Sequence, residues 1–448
     1  MMILTRAFTR LAATLLTTVV AASSPAFSAT KIQHLVSPGG IEAWFVQDAT
    51  VPLVAMEYAF TGGSTQDPAG KSGVGYMTAE TLDEGAGDLD SKTFHERLER
   101  RAIELSFSAT RDYLRGSLRM LTENRDEAFG LLRLSLTAAR FDAEPIERVR
   151  AQMLSNLRRE STNPVSIGSR RFWEQAFGTH PYARQPSGSL ESVPAIQAAD
   201  LKDYARRVLA KDTLKVAVVG DVDATTLGKL LDEAFGGLPA KADLIPVTDV
   251  EVVKPPKKFS EAVDVPQTSV LFGGPGIRRD DPDFMAAYIV NHILAGGTLS
   301  SRLYKEVREK RGLVYSVSES LIWMKHASVF AGTTATRADK ATETLDTIAA
   351  EIARMGIEGP TQQELDEAKS YLKGSQMLAL DTSSNIAAAL LQYQTDTLGI
   401  DYIERRNGIV DAVTLDQAKR VARRIWGQGL LSVSIGRAPV ASADPRTK

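Results

Sequence analysis

The sequence predicts an α+β fold built twice: two tandem homologous domains, each a mostly antiparallel sheet with helices packed on one face. Three observations carry this. Val51-Pro52 opens an apolar run from Leu53 to Phe60, followed by Gly62-Gly63 and Asp67-Pro68. Val265-Pro266 opens a second run from Ser269 to Phe272, followed by Gly273-Gly274 and Asp281-Pro282. The two prolines stand 16 residues apart in both copies, and the copies are offset by 214. A second pair of landmarks repeats at an offset of 217: Tyr204-Ala205-Arg206-Arg207-Val208 leads to the strand Lys215 to Val219 and Gly220, and Val421-Ala422-Arg423-Arg424-Ile425 leads to Leu431 to Ile435 and Gly436. Finally, strands come in pairs and helices in runs, without strict alternation, which is the α+β pattern.

Taken in order, the first segment is a leader. Arg6 and Arg10 give a positive start with no acid, and Leu11 to Ala22 is apolar but too short to span a bilayer as a mature helix. Ala26-Phe27-Ser28 supplies small residues, so residues 1–28 read as a signal peptide cleaved after Ser28. The mature chain is then expected to be periplasmic or secreted, with no membrane attachment after cleavage. Glu42–Gln47 and Leu53–Phe60 read as strands, Phe94–Ile103 as a helix, and Glu104–Ala109 and Tyr113–Leu121 as two more strands. Glu127–Leu136 is amphipathic, with Ala128, Leu131, Leu132 and Leu136 on one face. Pro145–Ser161 is a longer helix that stops before Asn163-Pro164. Gly236-Gly237-Leu238-Pro239 closes the first copy. Pro246, Pro255 and Pro256 mark an extended connection. These boundaries give an N-terminal domain at 31–240, a linker at 241–259 and a C-terminal domain at 260–440.

Composition excludes several classes of function. Lys and Arg number 53 and Asp and Glu 55, so nothing favours nucleic acid as a partner. Cysteine is absent, which removes disulfides, thiol nucleophiles and Cys-ligated metals. Any histidine-based metal site must use His34, His95, His180, His292 or His326. His95-Glu96-Arg97-Leu98-Glu99 lacks the second His of a zinc helix, and Glu80, Asp83 and Glu84 read as an acidic helix end. There is no G-x-S-x-G, P-loop or G-x-G-x-x-G after a strand.

The richest segment runs from Gly296-Gly297-Thr298 through Ser300-Ser301-Arg302-Leu303 to Arg308-Glu309-Lys310-Arg311-Gly312-Leu313-Val314-Tyr315-Ser316. Physically it is a Gly-rich turn and a Ser-capped helix with Leu303 and Val307 inward. Cations load its C-terminal end, Gly312 stops it, and a strand starts near Val314. The glycines at 274–276 and 296–297 are candidates for close approach of a substrate backbone.

That segment resembles the C-terminal domain signature of insulinase/pitrilysin-type zinc peptidases, of which the mitochondrial processing peptidases are a branch. Asp280-Asp281-Pro282-Asp283-Phe284, Gly70-Lys71-Ser72-Gly73-Val74 and Asn163-Pro164 fit the same family. The resemblance implies paired α/β-roll domains forming half of a clamshell. It also implies a zinc motif H-x-x-E-H on a helix, with a third acidic ligand about 75 residues later. Here Tyr76 stands for the first His, Ala79 for the general base, Glu80 for the second His and Asn156 for the third ligand. The chain is therefore expected to hold no cofactor of its own and to be inactive alone, with zinc in a partner. The family's substrate-binding Arg and Tyr fall on Arg308 and Tyr315. The resemblance thus implies a non-catalytic, substrate-binding subunit of a heterodimeric zinc metallopeptidase acting on short peptides. Its expected partner is a homologous catalytic subunit. The alternative is a non-enzymatic peptide-binding or structural chamber protein of the same fold.

Overall fold

The first long strand, Leu53–Thr61, is buried along nearly its whole length. A strand inaccessible on both faces needs cover on both, and the way that cover is supplied organises the molecule. The computed structural model describes residues 31–437; the leader read at 1–28 lies outside them. The strands are β1 (Gln33–Val36), β2 (Glu42–Gln47), β3 (Leu53–Thr61), the short pair β4 (Gly85–Ala86) and β5 (Leu89–Asp90), β6 (Glu104–Ala109), β7 (Tyr113–Leu121), β8 (Lys215–Gly220), β9 (Lys257–Ala262), β10 (Gln267–Pro275), β11 (Val314–Trp323), β12 (Ser328–Arg337) and β13 (Leu431–Gly436).

The first large sheet runs β1-β2-β8-β3-β7-β6 and the second β11-β12-β10-β13-β9. Read from the far edge, β6-β7-β3-β8-β2 matches β11-β12-β10-β13-β9 strand for strand. All neighbours are antiparallel except β2 with β8 and β9 with β13, which occupy the same place in the two sheets. The repeat extends to one packing device. Tyr58 on β3 lies opposite Gly116 on β7, and Phe272 on β10 lies opposite Gly332 on β12. A Cβ at Gly116 would meet the Tyr58 ring at 2.1 Å, and one at Gly332 the Phe272 ring at 2.3 Å. Each aromatic lies over the bare backbone of the neighbouring strand, where no side chain fits.

Each sheet has its own helices on one face. Met56, Tyr58, Phe60, Leu114 and Val218 pack with Met77, Phe129, Leu132, Leu201, Tyr204 and Leu227 in the first core. Phe272, Phe330 and Val317 pack with Val290, Ile352, Leu365, Val421 and Trp426 in the second. The opposite faces are covered by an exchange of helices, an arrangement beyond the one-sided packing read from the sequence. Helix Pro164–Phe177, from the first half, lies on the second sheet through Ile167, Phe172 and Ala176 against Leu271, Val433 and Ile435. Helix Ser383–Thr395, from the second half, lies on the first sheet through Ala387, Leu390 and Leu391 against Val46, Ala59, Ala217 and Val219. The buried Gln394 adds a hydrogen bond from its Nε2 to the Val216 carbonyl at 2.8 Å. Gly168 permits the first of these contacts, since a Cβ there would meet Leu271 at 2.4 Å.

Local signals explain most boundaries. Asn163-Pro164 ends the helix Ala143–Thr162 and also starts the next: Asn163 Oδ1 accepts from the amides of Val165 and Ser166 at 2.9 and 3.1 Å, and Pro164 needs no partner at the first helical position. The helix expected at 94–103 is instead Ser91–Arg100. Asp90 caps it by accepting from the Thr93 amide at 2.8 Å, and Ala102, at φ 48°, lies beyond its end. Residues 238–256 carry no regular structure. They are strapped across both halves: Gln66 makes two hydrogen bonds with the Ile245 backbone, and the amides of Val250 and Val253 donate to His326 and Ala176. Lys257–Phe259, read as the end of the connection, already pair with Leu431–Val433 as part of β9. Among the described residues no helix is long and apolar enough to cross a membrane.

Candidate functional site

Helix Val74–Ala79 carries the positions that the resemblance sets against the family's zinc motif. It starts at Gly73, held at φ 103°, and the buried Asp67 carboxylate accepts from the amides of Gly73 and Gly75, both at 2.7 Å. Burial raises Asp67 to about 7 against these hydrogen bonds. Tyr76 is half-buried, Ala79 is buried and Glu80 ends the helix. The Tyr76 hydroxyl lies close enough to the Glu80 carboxylate for each to act on the other. Burial, and then the Glu80 charge, push the Tyr76 phenol above its usual range, which opposes the phenolate a metal would need. Asn156 sits on the helix Ala143–Thr162, and its side-chain oxygen accepts from Gln152 Nε2 at 3.0 Å and from Arg159. Ala79 offers no donor at all. This set does not fit a zinc ion. Of the nearby acids, Glu84 is paired with Arg148 and accepts from Ser91. His95 Nδ1 bonds the Ser91 carbonyl at 2.9 Å on its own helix. Among the described residues no cluster of three or more His, Asp or Glu is arranged for a metal.

Arg308 and Tyr315, seven residues apart in sequence, are brought together. The Arg308 guanidinium lies 5.5 Å from the centroid of the Tyr315 ring. Tyr315 itself is 84% exposed, so a large aromatic is held out toward solvent. Two features put it there. β11 is the edge strand of its sheet, and its register against β12 shifts between Val314 and Val317, a bulge that re-aims the intervening residues. Arg308 is held from below by a residue the sequence reading did not single out. Buried Tyr304 places its ring 4.8 Å from the guanidinium and its hydroxyl in hydrogen-bond contact with it. The four-residue spacing from Tyr304 to Arg308 on a helix was the available signal.

The helix expected after Ser301 differs in kind. After a first turn it is π-helical over Tyr304–Glu309, and a second π-helical stretch, His292–Gly296, extends the helix Phe284–Asn291. The Gly-rich turn thus lies between two widened helical segments, a form that recurs at functional sites. Gly312, at φ 60°, follows as expected. The glycines near 274 are a correction. A Cβ at Gly274 would meet the Phe330 ring at 2.8 Å and one at Gly276 the Val329 backbone at 2.7 Å, so both are used for internal packing. Gly297 is likewise closed by Ser300 and His292.

A duplicated two-sheet fold of this kind, holding an Arg and a Tyr side by side, is that of a peptidase-like chain. The resemblance to the insulinase/pitrilysin-type peptidases holds. Residues 195–372 match the family described as Peptidase M16 inactive domain. A Helicobacter pylori protein named non-peptidase homolog YmxG is 29% identical over 342 residues, which is 76% of this chain and 79% of that protein. A Bacillus subtilis protein named uncharacterized zinc protease YmxG is 22% identical over 408 residues, 88% of this chain and 96% of that one. Among solved structures, a peptidase M16 inactive domain from Pseudomonas fluorescens superposes with a TM-score of 0.85 at 28% identity, covering 91% of this chain and 98% of its own.

Proposed function

We propose that the chain is the non-catalytic, substrate-binding subunit of a heterodimeric zinc metallopeptidase. In this reading a homologous partner carries H-x-x-E-H, and Arg308 and Tyr315 of this chain reach its active site. The observation that carries it is the Arg308–Tyr315 pair, with Tyr315 exposed on a bulged edge strand and half-buried Arg308 buttressed by Tyr304. Loss of the zinc donors alone would suit any inert relative; a buttressed guanidinium beside a solvent-exposed phenol suits a task. Arg308 supplies fixed donors for a peptide carbonyl or carboxylate. Tyr315 supplies one hydroxyl that can donate to an oxyanion forming on the scissile carbonyl. The unpaired side of β11 can take an extended peptide as an added strand, which favours short unfolded peptides. Export by the leader, to the periplasm or beyond the cell, completes the proposal.

The variants Arg308→Ala and Tyr315→Phe test it in cleavage assays of the mixed subunits. Removing one such donor costs about 10²-fold in kcat in comparable sites, so Arg308→Ala is expected to abolish most of the stimulation this chain gives its partner. Tyr315→Phe is expected to lower kcat with little change in KM. Both side chains lie at the surface or are held by Tyr304, so folding should persist. Unchanged kinetics for both variants would instead favour a peptide-holding or structural chamber.

A further inference from the structure

At the other end of β11 lies a feature that the Arg308–Tyr315 pair does not use. The starts of β7 and β8, the end of β11 and the last turn of helix Ser383–Thr395 enclose an open cleft of about 700 Å³ between the two halves. Its size is that of pockets that hold small ligands. Tyr315 and Trp323 are eight residues apart on one strand, roughly 26 Å, so the cleft is separate from the pair.

The charges lining this cleft are unbalanced. Its three carboxylates are already engaged. Asp112 accepts from the Tyr182 hydroxyl at 2.6 Å and the Lys325 amide at 3.0 Å. Asp280 is paired with Arg278 at 3.2 Å. Asp396 accepts from the Trp323 indole at 3.1 Å and from Gln392 at 2.9 Å, with Arg279 at 3.6 Å. Against them, Arg111, Arg115, Lys215 and Lys325 line the cleft with no carboxylate within ion-pair distance among the described residues. The two arginines are anchored by neutral groups. Arg111 stacks on Trp173 at 3.7 Å and donates from Nε to the Tyr182 carbonyl at 3.2 Å. Arg115 donates to Gln392 at 3.1 Å. Each guanidinium has five N–H groups, so both keep donors to spare in fixed orientations. Burial pulls Arg111 down to about 10, against the opposing charge of Asp112. Half-buried Ile322, Trp323 and Met324 form an apolar strip along the same cleft.

We propose that this cleft binds a carboxylate carrying an apolar body, the chemistry shared by the C-terminal residue of a short peptide and by a free aryl or alkyl carboxylic acid. The unpaired cations take the carboxylate, and the Ile322–Met324 strip takes the apolar part.

Titration calorimetry on the full chain tests this with two pairs of probes: 3-phenylpropionate and its amide, and N-acetyl-Ala-Ala-Phe as free acid and as amide. An acid is expected to bind at least about tenfold more tightly than its amide, with affinity falling as salt rises. The double variant Arg115→Gln/Lys215→Gln is expected to lose about tenfold or more in affinity, and Lys215→Gln alone, at an exposed position, a smaller share. The peptidase role is read in a separate assay, the stimulation of a partner lost in Arg308→Ala, so this site and that role can fail separately. Binding by the peptide acid alone assigns a peptide terminus, and binding by phenylpropionate assigns a free acid. No binding by either acid at millimolar concentration, equal binding of acid and amide, or undiminished binding by Lys215→Gln and the double variant would overturn the proposal.

Discussion

Replacing Glu319 by Gln is expected to stabilise the protein at neutral and alkaline pH. Glu319 lies on β11, four residues beyond Tyr315, with its side chain turned into the second core and only 2% exposed. The Asn291 amide donates to its two oxygens at 2.9 and 3.1 Å, and no cation is paired with it among the described residues. Burial raises its carboxyl to about 8, against the lowering pull of the Trp426 indole. A carboxyl whose folded pKa lies above its unfolded value of 4.5 favours the folded state when protonated. Its contribution is fully present below about pH 4.5 and is lost as pH rises toward 8. At about 1.4 kcal/mol per unit, the loss by pH 7 is on the order of 3 kcal/mol. Glu319→Gln keeps the shape and a hydrogen-bonding group but removes the charge. Denaturant midpoints between pH 5 and 8 should fall for the parent and stay flatter for the variant. A variant less stable than the parent across that range would refute this. Asn291 directly precedes the π-helical stretch that leads into the Gly-rich turn.

Phe172→Ala is expected to destabilise the second half from within the first half's sequence. Phe172 is 1% exposed and its ring lies against Gly273 of β10, where a Cβ would meet it at 2.7 Å. Truncating a buried Phe costs about 3–5 kcal/mol through lost transfer energy and the cavity left behind. Because helix Pro164–Phe177 and helix Ser383–Thr395 are exchanged between the sheets, the loss should be felt throughout. Unfolding followed through Trp44, beside the first sheet's exchanged helix, and Trp426, in the second core, should give coincident transitions in parent and variant. Two separated transitions would show that the exchanged helices do not couple the halves.

The elements legible in the sequence were those whose signals are local. Glu42–Gln47, Glu104–Ala109 and Tyr113–Leu121 are observed as strands with the bounds expected. Their alternation and flanking turns fix them without help from distant residues. The duplication was legible because Val-Pro and Asp-Pro flank the same strand in both copies, although Gly273-Gly274 lies inside β10 whereas Gly62-Gly63 follows β3. The helix exchange was not, because an apolar helix face does not name the sheet it will cover. Leu390 and Leu391 read alike whether they pack on their own half or on the other. At the site, the spacing of Arg308 and Tyr315 was visible, but their juxtaposition depends on the bulge after Val314 and on Tyr304 beneath. The charges of the cleft escaped notice because Arg111, Arg115 and Lys215 come from separate elements and meet beside the end of β11 only after folding.

The most direct measurement is zinc content and peptidase activity, first of this chain alone and then of an equimolar mixture with a homologous chain bearing H-x-x-E-H. The donor set at Tyr76, Ala79, Glu80 and Asn156 predicts an inert, zinc-free chain that raises its partner's rate above the rate of the partner alone. Stoichiometric zinc bound by this chain, with peptide cleavage in the partner's absence, would contradict it.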